Sequence, residues 1–464
     1  MQHMDGTIFV IMGVTGDLAT RKLIPALHEL LKDGHLQKCA IIGVANDQTA
    51  TIDSILEKSK SFIPEPNSDV LQKIRDVFVY QPFDFNDQSG YQKLKVTLEN
   101  LESQFGFSGQ RIFYLSVMPD YFAPITQNLA LAGIIKKGDN SRIAYEKPFG
   151  HNLASAKSIN KAIHSVFDES QIYRVDHFLG KELVDNIALV RFTNLFLQPL
   201  WNHQYIDNIQ IFLNEEIDIN HRGAFYDRYG ALRDVVQNHM LQLLALIAME
   251  PPKALDGQHI RDAKSAVLQC VKVEDVIKGQ YAGYRTESGV NPNSTTETFA
   301  ALRLSIENDR WTGVPFYLKT GKCLRAKNTS IHITFKSAQC MVSTPCPPPQ
   351  NHLIINIDPA HGFALEINAK VSGYSNQIAP VPMTFCHSKL CPNSPEAYET
   401  LLFDIMKGDQ SAFVRFDEIE HSWAIIDAAH AQHPETPPTI YEKGSQGPDE
   451  LKIWAEKYNF VWRD

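Results

Sequence analysis

The chain's 464 residues leave room for two domains, and 44% hydrophobic with 21% charged residues is the make-up of an ordinary globular protein. A formal net charge of −9 argues against a nucleic-acid binder, although a pocket on an acidic protein can still be locally basic. No apolar run nears the ~18–20 residues of a membrane span and no secretory leader pattern opens the chain, so a cytoplasmic protein is expected.

The first third alternates short apolar runs with helical patterns, the texture of a mostly parallel sheet covered on both faces. Thr7–Met12 and Cys39–Ala45 read as strands, as do Gln110–Val117 and Arg142–Tyr145. Between the first two, Leu18–Asp33 carries leucines at helical spacing, tolerates Pro25 near its start and stops at Gly34. Gly13-Val14-Thr15-Gly16-Asp17-Leu18-Ala19 joins that first strand to the helix. The glycines suit a tight turn against a pyrophosphate, small Ala19 suits close helix–strand packing, and the helix start offers amides to an anion. Gly-x-x-Gly-x-x-Ala is a variant of the dinucleotide fingerprint, and by itself moderately specific.

The second strand runs into Asn46-Asp47, where a dinucleotide's adenosine ribose is met. A carboxylate there suits a free 2′-hydroxyl and leans toward NAD, while Arg21 and Lys22 can supply charge for a 2′-phosphate. The next strand ends in Glu146-Lys147-Pro148-Phe149-Gly150, a rigidly presented ammonium at the ligand-binding edge, with Lys147–Pro148 a candidate cis bond. Arg174-Val175-Asp176-His177-Phe178-Leu179-Gly180-Lys181-Glu182 then gathers cations beside a carboxylate. If a helix begins there, His177 and Lys181 lie four apart and face one anion, while Asp176 can orient an imidazole brought from elsewhere.

From about residue 200 strands follow one another without regular helices between them: Ile206–Leu213, Thr298–Glu307, Ser330–Phe335, Leu353–Ile357 and Phe363–Val371. This reads as an α+β domain on a large, mostly antiparallel sheet. Arg233–Gln242 opens a helix whose second half is apolar all round, and the stretch Leu241–Met249 is read as buried. At 100° per residue, Asp234, Asn238 and Gln242 form one polar stripe with His239 on its flank, and His239 can take a proton from an alcohol. Pro315–Lys327 ends a strand in Lys-Thr-Gly-Lys, a group of cations around a glycine turn. Seven cysteines, none in a Cys-x-x-Cys pair, read mostly as small buried groups in a reducing compartment, and no metal site is expected.

Taken singly, most of these segments are equally well a surface turn, a capped helix start or a hydrogen-bonded core histidine. In this order and at these intervals they resemble the glucose-6-phosphate dehydrogenase family. The similarity runs on through Asn308–Phe316, Glu396-Ala397-Tyr398-Glu399 and Lys407-Gly408-Asp409-Gln410, over nearly the whole chain.

The resemblance implies a Rossmann-like dinucleotide-binding domain over 1–175 and a substrate-binding and dimerisation α+β domain over 176–464. It implies oxidation of β-D-glucose 6-phosphate to 6-phosphoglucono-δ-lactone, the entry to the pentose phosphate pathway, by a homodimer or a dimer of dimers. His239 would be the general base and Asp176 its orienting carboxylate. His177 and Lys181 would grip the phosphate, and Lys147, Glu215, Asp234, Lys322 and Lys327 would position the sugar. Gly13, Thr15, Gly16, Asp17, Leu18, Arg21, Asn46, Asp47 and Lys147 would line the dinucleotide.

The chain departs from the family in two places. Phe178 stands where a tyrosine is common, which removes one hydroxyl from the phosphate site. Asn46 stands where members that use NADP carry arginine, so NADP, the family default, competes with NAD or dual use. Another sugar dehydrogenase, or an idle dinucleotide binder, is the rival reading. The paired His177 and Lys181 argue against a neutral sugar, and retention of His239, Asp176, Lys147 and Lys181 argues against idleness.

Overall fold

The computed structural model describes residues 6–220, 222–339, 345–373, 376–386, 394–432 and 436–464. The chain divides into two compact units. One comprises Met1–Lys181, Ala254–Arg261 and Pro395–Glu420, and the other Glu182–Lys253, Asp262–Ser394 and His421–Asp464.

In the first unit β1 (Thr7–Met12), β2 (Cys39–Ala45), β3 (Phe78–Pro82), β4 (Gln110–Leu115), β5 (Ser141–Tyr145) and β6 (Ile172–Arg174) form a parallel sheet. The strand order is β3-β2-β1-β4-β5-β6. The helices are α1 (Ile24–Lys32), α2 (Ile52–Lys60), α3 (Ser68–Asp76), α4 (Gln88–Phe105), α5 (Phe122–Leu131) and α6 (Leu153–His164). Every residue of β1 and β2 is buried, which is why these strands read as unbroken apolar runs and not as alternation. The order reverses direction between β1 and β4, the point where doubly wound sheets bind their ligands.

Leu18–Asp33 is not one α-helix. Ala19–Leu23 forms a π-helical turn and α1 follows from Ile24. Pro25 has no N–H to give and its ring crowds the carbonyl four residues earlier, so a wider turn precedes it. A single cut between residues 175 and 176 does not reproduce the first unit either. It runs on to Lys181 and includes the helix Ala397–Lys407, whose Leu401 and Ile405 join Phe9, Leu27 and Ile41 in one core. Arg142 donates to the carbonyls of Ile405 and Met406, and Gln110 to Met406 O at 2.8 Å, so side chains from the sheet cap that helix's C-terminal end.

The second unit is built on a nine-stranded sheet in the order β14-β13-β12-β11-β7-β10-β9-β8-β15. The strands are β7 (Ile206–Asn214), β8 (Val271–Tyr281), β9 (Phe299–Ile306), β10 (Phe316–Gly321), β11 (Asn328–Phe335), β12 (His352–Asp358), β13 (Gly362–Lys370), β14 (Ile378–Cys386) and β15 (Thr439–Tyr441). Neighbours are antiparallel except β7 with β10 and β8 with β15. The strands expected from sequence match β7, β9, β11, β12 and β13 to within two residues at each end. Polar β8 and proline-bearing β14 do not announce themselves, because neither carries a clean apolar pattern.

Three helices of this unit matter below: α7 (Glu182–Thr193), α8 (Gly223–Ala231) and α9 (Leu241–Ala248). Leu232–Met240, between α8 and α9, is π-helical, and α9 is buried at every position. The π ladder overturns the expected stripe. Its wider, i→i+5-bonded turn brings both Asn238 and His239 near the line of Asp234, whereas the 100° rule pairs Asp234 with Asn238 alone. Gln242 instead accepts from the fully buried Lys264 at 2.8 Å. Cys39 and Cys323 are buried thiols as expected, whereas Cys346 is disulfide-bonded.

Candidate active site

The glycine turn lies at the reversal point of the parallel sheet. Gly13 has φ +87°, and a Cβ there would stand 2.3 Å from the Ser116 carbonyl oxygen just past β4, so only glycine closes this approach. The amides of Gly13 and Val14 donate to Val44 O at 2.7 and 3.2 Å, and Gly16 N–H donates to Gly13 O at 3.0 Å. Any anion is therefore left to the amides farther along the turn and at the helix start. Ala19 is fully buried, as close helix–strand packing requires. Lys58 of α2 reaches over the turn, with Nζ 3.1 Å from Asp17 Oδ1 and 3.5 Å from Thr15 O. Arg21 lies 5.0 Å over the ring of Phe62.

Past the end of β2, Asn46 and Asp47 are each held by hydrogen bonds. Asn46 Nδ2 donates to Asp84 Oδ2 at 3.3 Å. Asp47 Oδ1 accepts from Thr49 Oγ1 at 2.7 Å, Thr49 N at 2.8 Å and Ala50 N at 3.2 Å. These bonds, the Thr49 hydroxyl first, hold the Asp47 carboxyl below the usual range. Asp84 comes from the loop after β3, and no motif spacing in the sequence points to it.

At the end of β5, Glu146 is 9% exposed and accepts from Tyr114 Oη at 2.6 Å. The Tyr398 hydroxyl also bonds it. Burial pushes the Glu146 carboxyl up to about 7, against the pull of these two hydroxyls and of Lys147. The Lys147–Pro148 bond is cis, and Lys147 is half-buried beside the network. Asn152 then caps α6 in a reciprocal pair with Ser155.

Residues 176–181 form turns, not a helix, and α7 begins only at Glu182. Asp176 Oδ1 accepts Phe178 N–H at 3.0 Å, Leu179 N–H bonds Asp176 O at 2.9 Å, and Lys181 N–H bonds Phe178 O at 3.1 Å. The local Asx turn competes with helix and wins. His177 and Lys181 are still brought together, by Phe178 rather than by helical spacing. The His177 ring meets Phe178 edge-on at 4.9 Å, and Lys181 Nζ stands 4.6 Å from the same ring's centre. At Gly180 a Cβ would lie 2.6 Å from Ala397 O. Arg174 belongs to the scaffold: its guanidinium is buried against Glu169 at 2.7 and 3.0 Å and Asn160 at 2.9 Å.

The second unit holds the remaining candidates. Glu215 follows β7 and pairs directly with Lys322, which leaves β10 buried and 5.3 Å above the Tyr226 ring. Lys327 pairs with Asp358 at 2.8 Å and is half exposed. Asp234 and His239 are buried on the π-helix. Glu297 fixes the start of that helix: its carboxylate accepts Leu232 N–H at 3.1 Å and its carbonyl accepts Ala231 N–H at 2.9 Å. Burial raises the Glu297 carboxyl. Glu297 and Tyr226 carry no motif in the sequence.

Family models agree with this arrangement. Residues 10–186 match the NAD binding domain of glucose-6-phosphate dehydrogenase, and residues 188–463 match its C-terminal domain. The chain belongs to the glucose-6-phosphate dehydrogenase family. A Glucose-6-phosphate 1-dehydrogenase of Bacillus subtilis is 39% identical over 481 residues, covering 98% of this chain and 98% of that protein. One from Chlamydia pneumoniae is 39% identical over 489 residues, covering 98% and 96%. A solved glucose-6-phosphate dehydrogenase in complex with glucose-6-phosphate superposes with a TM-score of 0.92 at 32% identity over all of both chains. The enzyme from Mycobacterium avium gives 0.85 at 35% identity over 99% of each. As a family member the chain joins a parallel dinucleotide-binding sheet to a large mixed sheet. Among the described residues no helix is long and apolar enough to cross a membrane.

Proposed function

We propose that the chain oxidises the C1 hydroxyl of β-D-glucose 6-phosphate to the 1,5-lactone, with hydride passing to a nicotinamide dinucleotide. The observation that carries this reading is the Gly13 turn at the sheet's reversal point, which only glycine can make against Ser116, on a chain that superposes throughout on a sugar-phosphate dehydrogenase. The turn and the helix start behind it fit a dinucleotide pyrophosphate. A bound dinucleotide supplies the hydride acceptor.

The residues do the rest. His177 and Lys181, both packed on the Phe178 ring, grip the 6-phosphate. Lys147, Glu215, Asp234, Lys322 and Lys327 orient the sugar by charge-assisted hydrogen bonds. His239 accepts the C1 hydroxyl proton, and Asp176 orients and charge-stabilises that imidazole. Thr15, Asp17, Leu18 and Arg21 line the dinucleotide with the glycines.

For the cofactor we propose weak discrimination, with NAD used beside NADP. Asn46 brings no positive charge to the ribose, and Asp47 and Asp84 place two carboxylates there. For assembly we propose a homodimer through the face of β13 and β14. Val381, Met383, Phe385 and Ile367 stand exposed on it, while Pro380 and Pro382 stop the edge of β14 from adding another strand. For location we propose the cytoplasm, on the ground that the substrate is a phosphorylated sugar and the acceptor a dinucleotide.

Initial rates with glucose 6-phosphate, NAD and NADP in parallel, and unphosphorylated glucose as control, test the reading. Reduced nicotinamide should form from the phosphate ester alone and with both cofactors. Turnover of glucose at equal efficiency would contradict the phosphate site, and strict NADP use would contradict the cofactor assignment.

A further inference from the structure

One buried acid in the first unit has no part in the reaction just described. Glu146 sits at the exit of β5, directly before Lys147, and is nearly sealed from solvent. Tyr114, itself buried at the end of β4, donates to Glu146 Oε1 at 2.6 Å. Tyr398, on the helix Ala397–Lys407, bonds the same carboxyl, and its ring lies parallel to that of His177, 6.4 Å away and 8° off plane. The charged and titratable groups facing Glu146 are thus Tyr114 from β4, Tyr398 from that helix, Lys147 on its own loop and Asp176 after β6.

We propose that Glu146 is a positioning residue, whose carboxyl, clamped by two tyrosine hydroxyls, sets the place of the Lys147 ammonium and the negative charge around Asp176. The proposal rests on the functional reading above. A buried carboxylate beside an ammonium fixes where that cation stands, because moving it away leaves a charge unpaired in a low-dielectric setting. The same negative charge opposes that of Asp176. Tyr398 carries the arrangement to the ring of His177. Burial places the Glu146 carboxyl near neutrality. Its charge therefore changes within the working pH range of a histidine base.

The test is the pH dependence of kcat and KM for glucose 6-phosphate in the whole protein, for wild type, Glu146→Gln and Tyr398→Phe. Glutamine keeps the acceptor oxygen and the shape and removes only the ionisation. Wild type should show an ionisation in KM near neutrality. Glu146→Gln should lack it and raise KM about tenfold, the scale of one charge-assisted contact. The circular-dichroism spectrum should stay that of wild type. Tyr398→Phe, which deletes one donor to the carboxylate, should move that ionisation to higher pH. If Glu146→Gln does not fold, Tyr398→Phe decides by the same profile.

Variants that keep the wild-type profile and KM would overturn the proposal and leave Glu146 a structural anchor. A wild-type protein that binds dinucleotide yet never oxidises glucose 6-phosphate would remove the functional reading, and this proposal with it. An active wild type with silent variants removes the proposal alone.

Discussion

His239 is 3% exposed and stands one π-helical turn from Asp234. A buried imidazole in the base role is worth roughly 10²–10⁴ in rate, so His239→Asn should lose that much kcat with little change in dinucleotide affinity. Phe178 offers a sharper residue-scale test, because it touches both His177 and Lys181 without a hydroxyl of its own. Phe178→Tyr restores one contact to a charged group and should lower the KM for glucose 6-phosphate about tenfold. An unchanged KM would show that the missing hydroxyl costs nothing. At the ribose, Asn46→Arg should raise the NADP-over-NAD ratio of kcat/KM at least about tenfold, as a bidentate cation replaces an amide held by Asp84.

Elements were legible in the sequence where their requirement is local. The Gly13 turn, β1, β2 and the apolar helix α9 follow from backbone geometry and burial within a short stretch. The π-helix Leu232–Met240 was not legible, because 3.6-residue periodicity assumes the ladder it is meant to reveal. The turn at 176–181 defeats the same assumption, since Asp176 bonds the backbone two residues on and stops a helix from starting. Glu297 and Asp84 escaped for another reason, as did the role of Glu146 within its motif: their partners arrive from strands and helices far along the chain, and a linear motif holds no trace of those partners. At β14 the edge prolines hide a strand whose outer face is apolar. If that face joins two copies, Met383→Lys on its exposed side chain should shift the protein from dimer to monomer in light scattering. An unchanged mass would place the interface elsewhere.

At the scale of the molecule the largest acid-range shifts in the two units have opposite senses, although burial also raises Glu297 in the second and lowers His164 in the first. In the second, burial holds His332, His352 and His430 down to about 4, below the usual histidine value. Their stabilisation is full above the unfolded pKa of about 6.5 and is lost as pH falls toward 4, because the unfolded chain takes up the protons first. In the first unit, burial lifts Glu146 and Glu399 to about 7, so protonation there favours the folded state as pH falls toward the ordinary carboxyl range. Trp201, Trp311, Trp423, Trp454 and Trp462 all belong to the second unit. On acidification from neutrality, the thermal midpoint by tryptophan fluorescence should therefore drop ahead of that by circular dichroism. Coincident midpoints at every pH would contradict this.

The central claim, that His239 removes the C1 proton of a phosphorylated hexose, is tested most directly by reduced-nicotinamide formation from glucose 6-phosphate in wild type and His239→Asn at saturating substrate. The account predicts a vigorous wild type and a variant slower by orders of magnitude that still binds dinucleotide. A variant turning over at the wild-type rate would contradict it.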